Sequence, residues 1–160
     1  NRKLIVDSTE EALQPALEEG VYMIKPNIGE LSRLAGKEEL QSDEIEPAAR
    51  DLINEGKCEI VVVSLGASGA MLVSREQVFK ISAPAVKIKS TVGAGDSLVA
   101  GIVFYISKGK SLYEALQYGV ACGTAATLNN GTGLCRKEDV ERLFKQIKSD
   151  TSLEIILQIK

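Results

Sequence analysis

The chain has 160 residues, which fits one domain with a sizeable core, and its 44% hydrophobic and 26% charged residues are ordinary for a globular protein. A formal net charge of −3 provides no basic field suited to nucleic acid. No apolar run approaches the length of a membrane-spanning helix, and we expect no signal peptide.

Histidine is absent, which excludes Ser-His-Asp and Cys-His catalysis and histidine metal sites. Acid–base chemistry therefore falls to Asp, Glu, Lys or Tyr side chains. The three cysteines, Cys58, Cys122 and Cys135, form no C-x-x-C motif and cannot all pair, which predicts free thiols and a cytoplasmic location. Because the chain starts at Asn1 without methionine, we expect it to be a piece of a longer protein.

In the first part of the chain, β-branched runs alternate with helix-forming segments. Strands are predicted at residues 3–7, 21–25 and 59–64. The third strand is mostly valine, which is typical of a central parallel strand. Helices are predicted from Ser8 or Thr9 to about Glu19 with Pro15 inside, over residues 28–35, and from Ser42 to near Gly56.

From residue 70 onwards, the sequence predicts a hairpin followed by helices. The predicted elements are hairpin strands 70–74 and 77–81, a strand at 83–89, a buried helix over 98–106, a small-residue helix over 112–128 and a final helix over 137–148. Ser111 and Glu114 form a capping box at the start of the small-residue helix. Residues 149–160 are an uncertain tail, with 151–160 a frayed helix, an extra strand or an extension. Alternating strands and helices indicate an α/β fold with a mostly parallel sheet.

The most informative stretch is the turn Gly93-Ala94-Gly95-Asp96 before an apolar helix. Unpaired N–H groups and the helix dipole suit such a turn to phosphate or developing negative charge, and Asp96 adds a carboxylate, as a kinase requires. A plain strand-to-helix turn capped by Asp96 explains the same residues equally well. The Walker A loop and the dinucleotide fingerprint both fail, because Phe104 and Leu98 replace required glycines.

Three further loops allow both a structural and a ligand-binding interpretation. Asn27 and Glu30 have the spacing of a capping box, and the residues alone favour this structural interpretation. The ligand-binding interpretation places them near magnesium and phosphates, where carboxylate and amide oxygens act directly or through water. The loop at 64–69 follows the best central strand, where α/β sheets bind ligands, and is equally compatible with a plain turn. The loop at 129–133 is favoured as a helix C-cap, although its carbonyls can also surround a monovalent cation.

These four motifs, in this order, resemble the PfkB carbohydrate kinase family, which has the ribokinase-like fold. The family marks are G-A-G-D at 93–96, K-P-N-x-x-E at 25–30 and S-L-G-x-x-G at 64–69. Residues 90–97 resemble the sugar-phosphate branch, and residues 125–135 resemble its bacterial 6-phosphofructokinases.

The resemblance extends over about residues 3–147. It implies a three-layer αβα arrangement with a mostly parallel central sheet, with residues 1–148 as the nucleotide-binding part of a kinase domain. Family members are roughly twice this length. The chain is therefore expected to be the C-terminal part, without the glycine pair that grips the sugar and without the β-lid that commonly builds a homodimer.

The resemblance also implies roles for individual residues. Asp96 would be the general base and contact the acceptor hydroxyl, with Gly93, Ala94 and Gly95 as the anion hole. The ATP site would comprise Lys25, Asn27, Ser64, Leu65, Gly66, Ala67, Ser68, Gly69, Val120 and Thr124, the last two bordering adenine. Glu30 would organise magnesium indirectly, and a potassium-type cation would be bound by Ser90, Val92, Ala126, Asn129 and Gly131. Gly133 stands where an arginine is expected in the similar 6-phosphofructokinases, so the resemblance is incomplete in that part of the cation site.

The implied function is ATP-dependent phosphorylation of a sugar phosphate in glycolysis, with fructose 6-phosphate as acceptor and magnesium as cofactor. Phosphorylation of tagatose 6-phosphate or fructose 1-phosphate shares every motif. A non-catalytic nucleotide-binding module is the alternative from another class, and Leu98 disfavours an NAD-binding domain. Neither nucleic acid nor a membrane is an expected partner.

Overall fold

The computed structural model describes residues 3–8, 10–131, 133–150 and 154–158. Its strands are β1 (Ile5–Val6), β2 (Val21–Ile24), β3 (Cys58–Ser64), β4 (Ala70–Ser74), β5 (Gln77–Ile81) and β6 (Glu154–Gln158). Its helices are α1 (Glu10–Glu19), α2 (Ile28–Leu34), α3 (Ile45–Asn54), α4 (Ala94–Ser107), α5 (Leu112–Thr127) and α6 (Lys137–Ser149), with a 3₁₀ turn at Gly66–Ser68. The strands form one sheet in the order β1-β2-β3-β4-β5-β6.

The chain divides into two compact units. The first comprises residues 1–66, 71–78 and 157–160, and the second comprises residues 67–70 and 79–156. None of the described helices combines the length and the apolarity needed to cross a bilayer.

The first unit is built on parallel strands. β1 pairs with β2 and β2 pairs with β3, with Val6 opposite Ile24 and Ile24 opposite Val61. Such strands are covered on both faces, which explains why β3 is a continuous apolar run with Val61, Val62 and Val63 fully buried. The predicted central strand is therefore confirmed.

The helices of the first unit match the prediction in number but not at every boundary. α1 continues through Pro15 to Glu19, so the proline does not shorten it. The cap predicted at Ser8 or Thr9 involves Thr9, which lies outside the described residues. The prediction that Ser42 begins α3 was wrong, because residues 42–44 form a turn in which the Gln41 N–H donates to Glu44 Oε2 at 2.8 Å.

The second unit is dominated by the close contact of α4 with α5. A Cβ added at Gly101 would lie 2.9 Å from Gly119 Cα, and one added at Gly119 would lie 2.9 Å from Leu98 O. Only glycine lets two helix backbones approach this closely. The predicted small-residue helix thus packs directly on the helix that follows the glycine turn, and its capping box at Ser111 is confirmed.

Aromatic side chains hold the distal parts of the three helices together. Tyr105 of α4 stacks on Tyr118 of α5 with ring centroids 4.0 Å apart, and Phe144 of α6 meets both rings edge-on. The helix predicted over residues 98–106 is confirmed within α4, but only one face of it is buried, since Val103 is 37% and Phe104 48% exposed.

Two predictions near the hairpin have opposite outcomes. The hairpin strands 70–74 and 77–81 are confirmed, and they are joined by Arg75 and Glu76. The strand predicted at 83–89 is wrong, because these residues have no assigned strand pairing. Pro84, which lacks a backbone N–H, cannot donate to a ladder there. In the tail, β6 corresponds to the extra-strand alternative.

Gly69 has a packing role beyond its turn. It has a positive φ of 95°, and an added Cβ would overlap the Ile81 carbonyl oxygen and lie 2.7 Å from the Ala83 nitrogen. Gly66 also has a positive φ of 60°, but no atom lies within 4 Å of its added Cβ.

We expect Gly69→Ala to lower the free energy of unfolding by about 3 kcal/mol or more, because it adds a backbone clash to the left-handed strain. Gly66→Ala, the matched control, adds only the strain and costs about 1 kcal/mol. Chemical denaturation of the two variants measures both values. Equal losses would show that the backbone crossing at Gly69 is not tight.

Candidate active site

The glycine turn begins α4 with a glycine cap rather than a carboxylate cap. Gly93 is the N-cap residue with φ 76° and ψ 1°, a left-handed conformation that glycine adopts without strain. Asp96 is the third residue of the helix. The interpretation of Asp96 as N-cap is therefore wrong, and its carboxylate is not used to start the helix.

The first turn of α4 leaves backbone donors open. The Ala94 N–H donates to Thr91 O at 3.3 Å, and the Ser97 N–H donates to Gly93 O at 2.9 Å. Within the described part of the chain, the N–H groups of Gly93, Gly95 and Asp96 have no acceptor. Of the expected anion-hole residues, Gly93 and Gly95 therefore keep an open donor, while Asp96 adds one and the Ala94 donor is engaged.

Asp96 itself is an exposed carboxylate beside these donors. Among the described residues, no group hydrogen-bonds to it or forms an ion pair with it. An ionised carboxylate next to open N–H groups can accept a proton from a ligand hydroxyl while the donors bind developing negative charge.

The last turn of α5 holds this turn from both sides. A Cβ at Gly123 would lie 3.0 Å from Ala94 O, so the start of α4 rests on the α5 backbone. The Thr127 carbonyl accepts hydrogen bonds from the N–H groups of Lys89 (2.8 Å) and Ser90 (3.4 Å). Gly123 and Thr127 are four residues apart on one face of α5. Their contacts therefore fix the segment before the turn, at residues 89–90, relative to the start of α4 after it.

The predicted cation residues all lie in the second unit. Ser90 reaches the end of α5 through Thr127, and its Oγ accepts the Val92 N–H at 3.2 Å. Asn129 Nδ2 donates to Ala125 O at 3.3 Å and to Leu134 O at 3.1 Å, which closes the loop after α5. The structure thus brings Ser90 to the segment of Ala126 and Asn129, and the C-cap role of the loop is also present.

Gly133 is exposed, but the space for a side chain at this position is limited. An added Cβ would lie 2.9 Å from Asn129 Cβ and 3.3 Å from Asn130 O. An arginine at this position would require the loop to move. Gly131 has φ 58° with open space around it.

The residues predicted to border adenine lie in the second unit on α5. Val120 is 2% exposed and Thr124 is 7% exposed, and they are four residues apart on the same face. Their side chains form part of the core of this unit. Contact with a base stays a prediction, and Thr124 offers the larger remaining surface.

In the first unit, Asn27 and Glu30 form the capping box of α2. The Glu30 N–H donates to Asn27 Oδ1 at 2.8 Å, and the Asn27 N–H donates to Glu30 Oε2 at 2.9 Å. The capping interpretation is confirmed. The two hydrogen bonds leave Glu30 Oε1 and Asn27 Nδ2 without a partner among the described residues, so these atoms remain available to a ligand.

Strand pairing brings the next predicted residue beside this box. Asn27 and Ser64 form a parallel bridge, and the Ser64 N–H donates to Pro26 O at 3.0 Å. Lys25, Asn27 and Glu30 therefore follow β2, and Ser64 ends β3, at the carboxyl ends where open α/β sheets bind ligands.

Asp7 is a further candidate that the sequence interpretation missed. It follows β1 directly, and its Oδ1 lies 3.3 Å from Lys25 Nζ. The sequence signal was present, since an acidic residue directly after a strand lies at the ligand-binding edge of a parallel sheet.

The loop predicted to carry nucleotide phosphates contains the 3₁₀ turn. Ser64 ends β3, Leu65 is half-buried, and Gly66, Ala67 and Ser68 are exposed. Gly69 is buried against the 81–83 backbone. The division between the two compact units falls within this loop, with Gly66 in the first unit and residues 67–70 in the second.

No cluster of three or more His, Cys, Asp or Glu side chains in the described ranges is arranged to hold a metal. A magnesium ion bound mainly by substrate phosphates and water needs few protein ligands. The unpartnered Glu30 Oε1 fits that role, since one carboxylate contact through water is sufficient.

The cysteines are all free thiols. Burial raises the pKa of Cys58 to about 12, against a small lowering by Lys57. Burial likewise raises the pKa of Cys122 to about 12, with the neighbouring Cys135 adding to the effect. Cys135 is half-buried.

The sequence profile of the "pfkB family carbohydrate kinase" matches residues 2–139. The chain belongs to this family.

Relatives in the family include ATP-dependent 6-phosphofructokinase isozyme 2 of Escherichia coli K12, 45% identical over 143 residues that cover 89% of this chain and 46% of that protein. The 1-phosphofructokinase of Bacillus subtilis is 35% identical over 148 residues, covering 92% of this chain and 48% of that protein. The chain spans about half the length of the curated relatives it matches.

Solved structures in the family share the fold. The crystal structure of E. coli phosphofructokinase-2 in complex with potassium is 44% identical, with a TM-score of 0.88 over 91% of this chain and 48% of that chain. The fold is therefore the expected ribokinase-like three-layer α/β fold.

The thiol pKa values predict selective labelling. At pH 8 we expect Ellman's reagent to modify Cys135 rapidly, while Cys58 and Cys122 react only after denaturation, because thiols with raised pKa values supply little thiolate. Cys135→Ser should remove the fast phase, and a fast phase that survives this substitution would contradict the assignment.

The same shifts predict a pH dependence of stability. Thiols in the unfolded chain ionise near their ordinary pKa of 9.0, whereas the two buried thiols stay protonated up to about 12. Their contribution is thus complete below pH 9 and is lost as the pH rises towards 12.

Proposed function

We propose that this chain carries the catalytic base and the nucleotide-binding part of an ATP-dependent sugar-phosphate kinase. The reaction would convert ATP and fructose 6-phosphate to ADP and fructose 1,6-bisphosphate, a step of glycolysis. The observation that supports this most strongly is the exposed, unpartnered Asp96 carboxylate beside the open N–H groups at the start of α4. Phosphoryl transfer requires this combination of a base and an anion-binding turn.

Asp96 would take the proton of the sugar 1-hydroxyl. The hydroxyl oxygen then forms its bond to the γ-phosphorus, the bond from that phosphorus to the β–γ bridging oxygen breaks, and ADP leaves. Negative charge spreads over the transferring group, and the N–H groups of Gly95 and Asp96 would bind it. One such preorganised donor typically contributes a factor of about 10²–10³ in kcat.

The first unit would bind the phosphate chain of ATP. Lys25 supplies the positive charge, and Asn27 Nδ2 supplies a donor that the capping box leaves open. Magnesium, when bound with ATP, neutralises phosphate charge, and Glu30 Oε1 would hold it through water. The remaining contacts to ATP would come from the loop at 64–69 and from Val120 and Thr124.

A monovalent cation site fits the loop after α5. Ser90, Val92, Ala126, Asn129 and Gly131 would supply mainly main-chain oxygens. The proposal is supported by the Ser90–Thr127 hydrogen bond and by the E. coli relative solved in complex with potassium. Gly133, where the space for a side chain is limited, distinguishes this chain's loop from one that carries arginine there.

Fructose 6-phosphate is the preferred acceptor because a 6-phosphofructokinase relative has 45% identity, against 35% for a 1-phosphofructokinase. Fructose 1-phosphate and tagatose 6-phosphate are the alternatives, and a panel of sugar phosphates assayed on the full-length protein separates them. The same proposal includes a homodimer and a cytoplasmic location, the latter supported by the free thiols. A non-catalytic module is disfavoured, since it has no need for an unpartnered carboxylate at the anion-binding turn.

We expect Asp96→Asn in the full-length protein to lower kcat by about 10³-fold or more, because the amide cannot accept the hydroxyl proton. ATP binding, measured by calorimetry, should stay nearly unchanged, since the backbone donors remain. Asp139→Asn is the matched control, because Asp139 is also the third residue of its helix and pairs with Arg142 at 3.1 Å. A kcat for Asp96→Asn within about tenfold of the parent would refute the assignment.

A further inference from the structure

The ion pair between Asp7 and Lys25 lies where two parallel strands end. Val6 of β1 is opposite Ile24 of β2, so the next residues, Asp7 and Lys25, emerge side by side at the carboxyl edge of the sheet. Lys25 Nζ lies 3.3 Å from Asp7 Oδ1, and the two side chains are 10% and 28% exposed. The lysine side chain is therefore almost buried.

The ammonium group of Lys25 is only partly satisfied by this pair. A lysine ammonium has three N–H donors, and Asp7 is its one ion-pair or hydrogen-bond partner among the described residues. A nearly buried charge with unfilled donors is costly unless another anion completes its environment. The arrangement therefore suits an anionic ligand at this edge.

Lys25 also supplies positive charge at this edge of the sheet, where it would reduce the repulsion between carboxylates and a bound phosphate. Its neighbours at the strand ends include the carboxylates of Asp7 and Glu30 and the uncharged Asn27 and Ser64. Without the lysine charge, two carboxylates would face a polyanion. The Lys25 ammonium thus offsets carboxylate charge that a phosphate chain would otherwise meet at this edge.

We propose that Asp7 is a positioning residue that holds the Lys25 ammonium in place for the phosphate chain of ATP. This inference rests on the proposed function, because it concerns how the same site binds its nucleotide. Asp7 neutralises the nearly buried lysine before ATP arrives and restricts its flexible side chain to one location. The ordering of Lys25 is then complete before binding.

The test is a double-mutant cycle in the full-length protein. Asp7→Asn should raise both the Kd for ATP, measured by calorimetry, and the KM for ATP by about tenfold. Loss of a fully buried ion pair would have a larger effect, but Asp7 is partly exposed to solvent. The KM for the sugar phosphate should change by less than about twofold. A purely structural role would alter both substrates alike.

The sign of the effect should reverse when Lys25 is neutral. In a Lys25→Gln background, Asp7 is an unpaired carboxylate facing phosphate, so Asp7→Asn should leave the Kd for ATP unchanged or lower it. A further loss of ATP affinity in that background, equal to the loss in the parent, would overturn the proposal. So would a changed magnesium requirement with an unchanged Kd for ATP, which would assign Asp7 to the metal.

Glu46→Gln is the matched control. Glu46 pairs with Arg50 at 2.7 Å with 31% side-chain exposure, similar to Asp7, but it lies within α3 away from the strand ends. It should leave both KM values unchanged. A parent protein that binds ATP but phosphorylates no sugar phosphate would refute the proposed function alone, whereas an active parent with an unaltered Asp7→Asn variant would refute only the role of Asp7.

Discussion

The close contact between α4 and α5 is the constraint on which the candidate catalytic turn depends. Glycines at 101, 119 and 123 allow the two backbones to approach to distances that a Cβ would not permit. The last turn of α5 then supports the start of α4 at Ala94 and holds the preceding segment through the Thr127 carbonyl. Because both arms of the turn are fixed, its N–H groups stay open without collapsing onto an internal acceptor. A preorganised anion site needs donors held in this way, since reorganisation during the reaction would reduce their effect.

In the first unit, the candidate ligand-binding groups are held in position by strand pairing and by partial pairing of their polar atoms. Parallel pairing places the ends of β1, β2 and β3 along one edge, and the charged groups of Lys25 and Glu30 are partly occupied there. Glu30 caps α2 with one oxygen and keeps the other, and Lys25 forms an ion pair with Asp7 and keeps N–H donors open. Partial satisfaction gives each group a partner in the protein and leaves atoms free for the proposed phosphate and magnesium contacts. The structural and functional interpretations of the K-P-N-x-x-E motif are therefore not alternatives.

Local patterns predicted the elements well where chemistry between near neighbours decides them. The capping boxes at Asn27 and Ser111, the valine-rich strand β3 and the hairpin follow from spacing alone. Features that depend on tertiary contacts were missed. Asp96 is not the cap because Gly93 takes the left-handed conformation, and residues 83–89 lack a strand partner although their side chains suit one. The Asp7–Lys25 pair required the register of β1 on β2, which short strands do not reveal. The site assignments came from motif resemblance, because no single loop decides between a cap and a ligand.

The central claim is that the start of α4 binds the transferring phosphoryl group while Asp96 contacts the acceptor hydroxyl. A crystal structure of the full-length protein with ADP, magnesium, aluminium fluoride and fructose 6-phosphate tests it directly, because planar aluminium fluoride mimics the transferring phosphoryl group in the transition state. We predict fluoride ligands about 2.7–3.1 Å from the N–H groups of Gly95 and Asp96. The Asp96 carboxylate should lie about 2.6–3.2 Å from the sugar 1-hydroxyl. A fluoride bound away from this turn, or a hydroxyl out of reach of Asp96, would contradict the account.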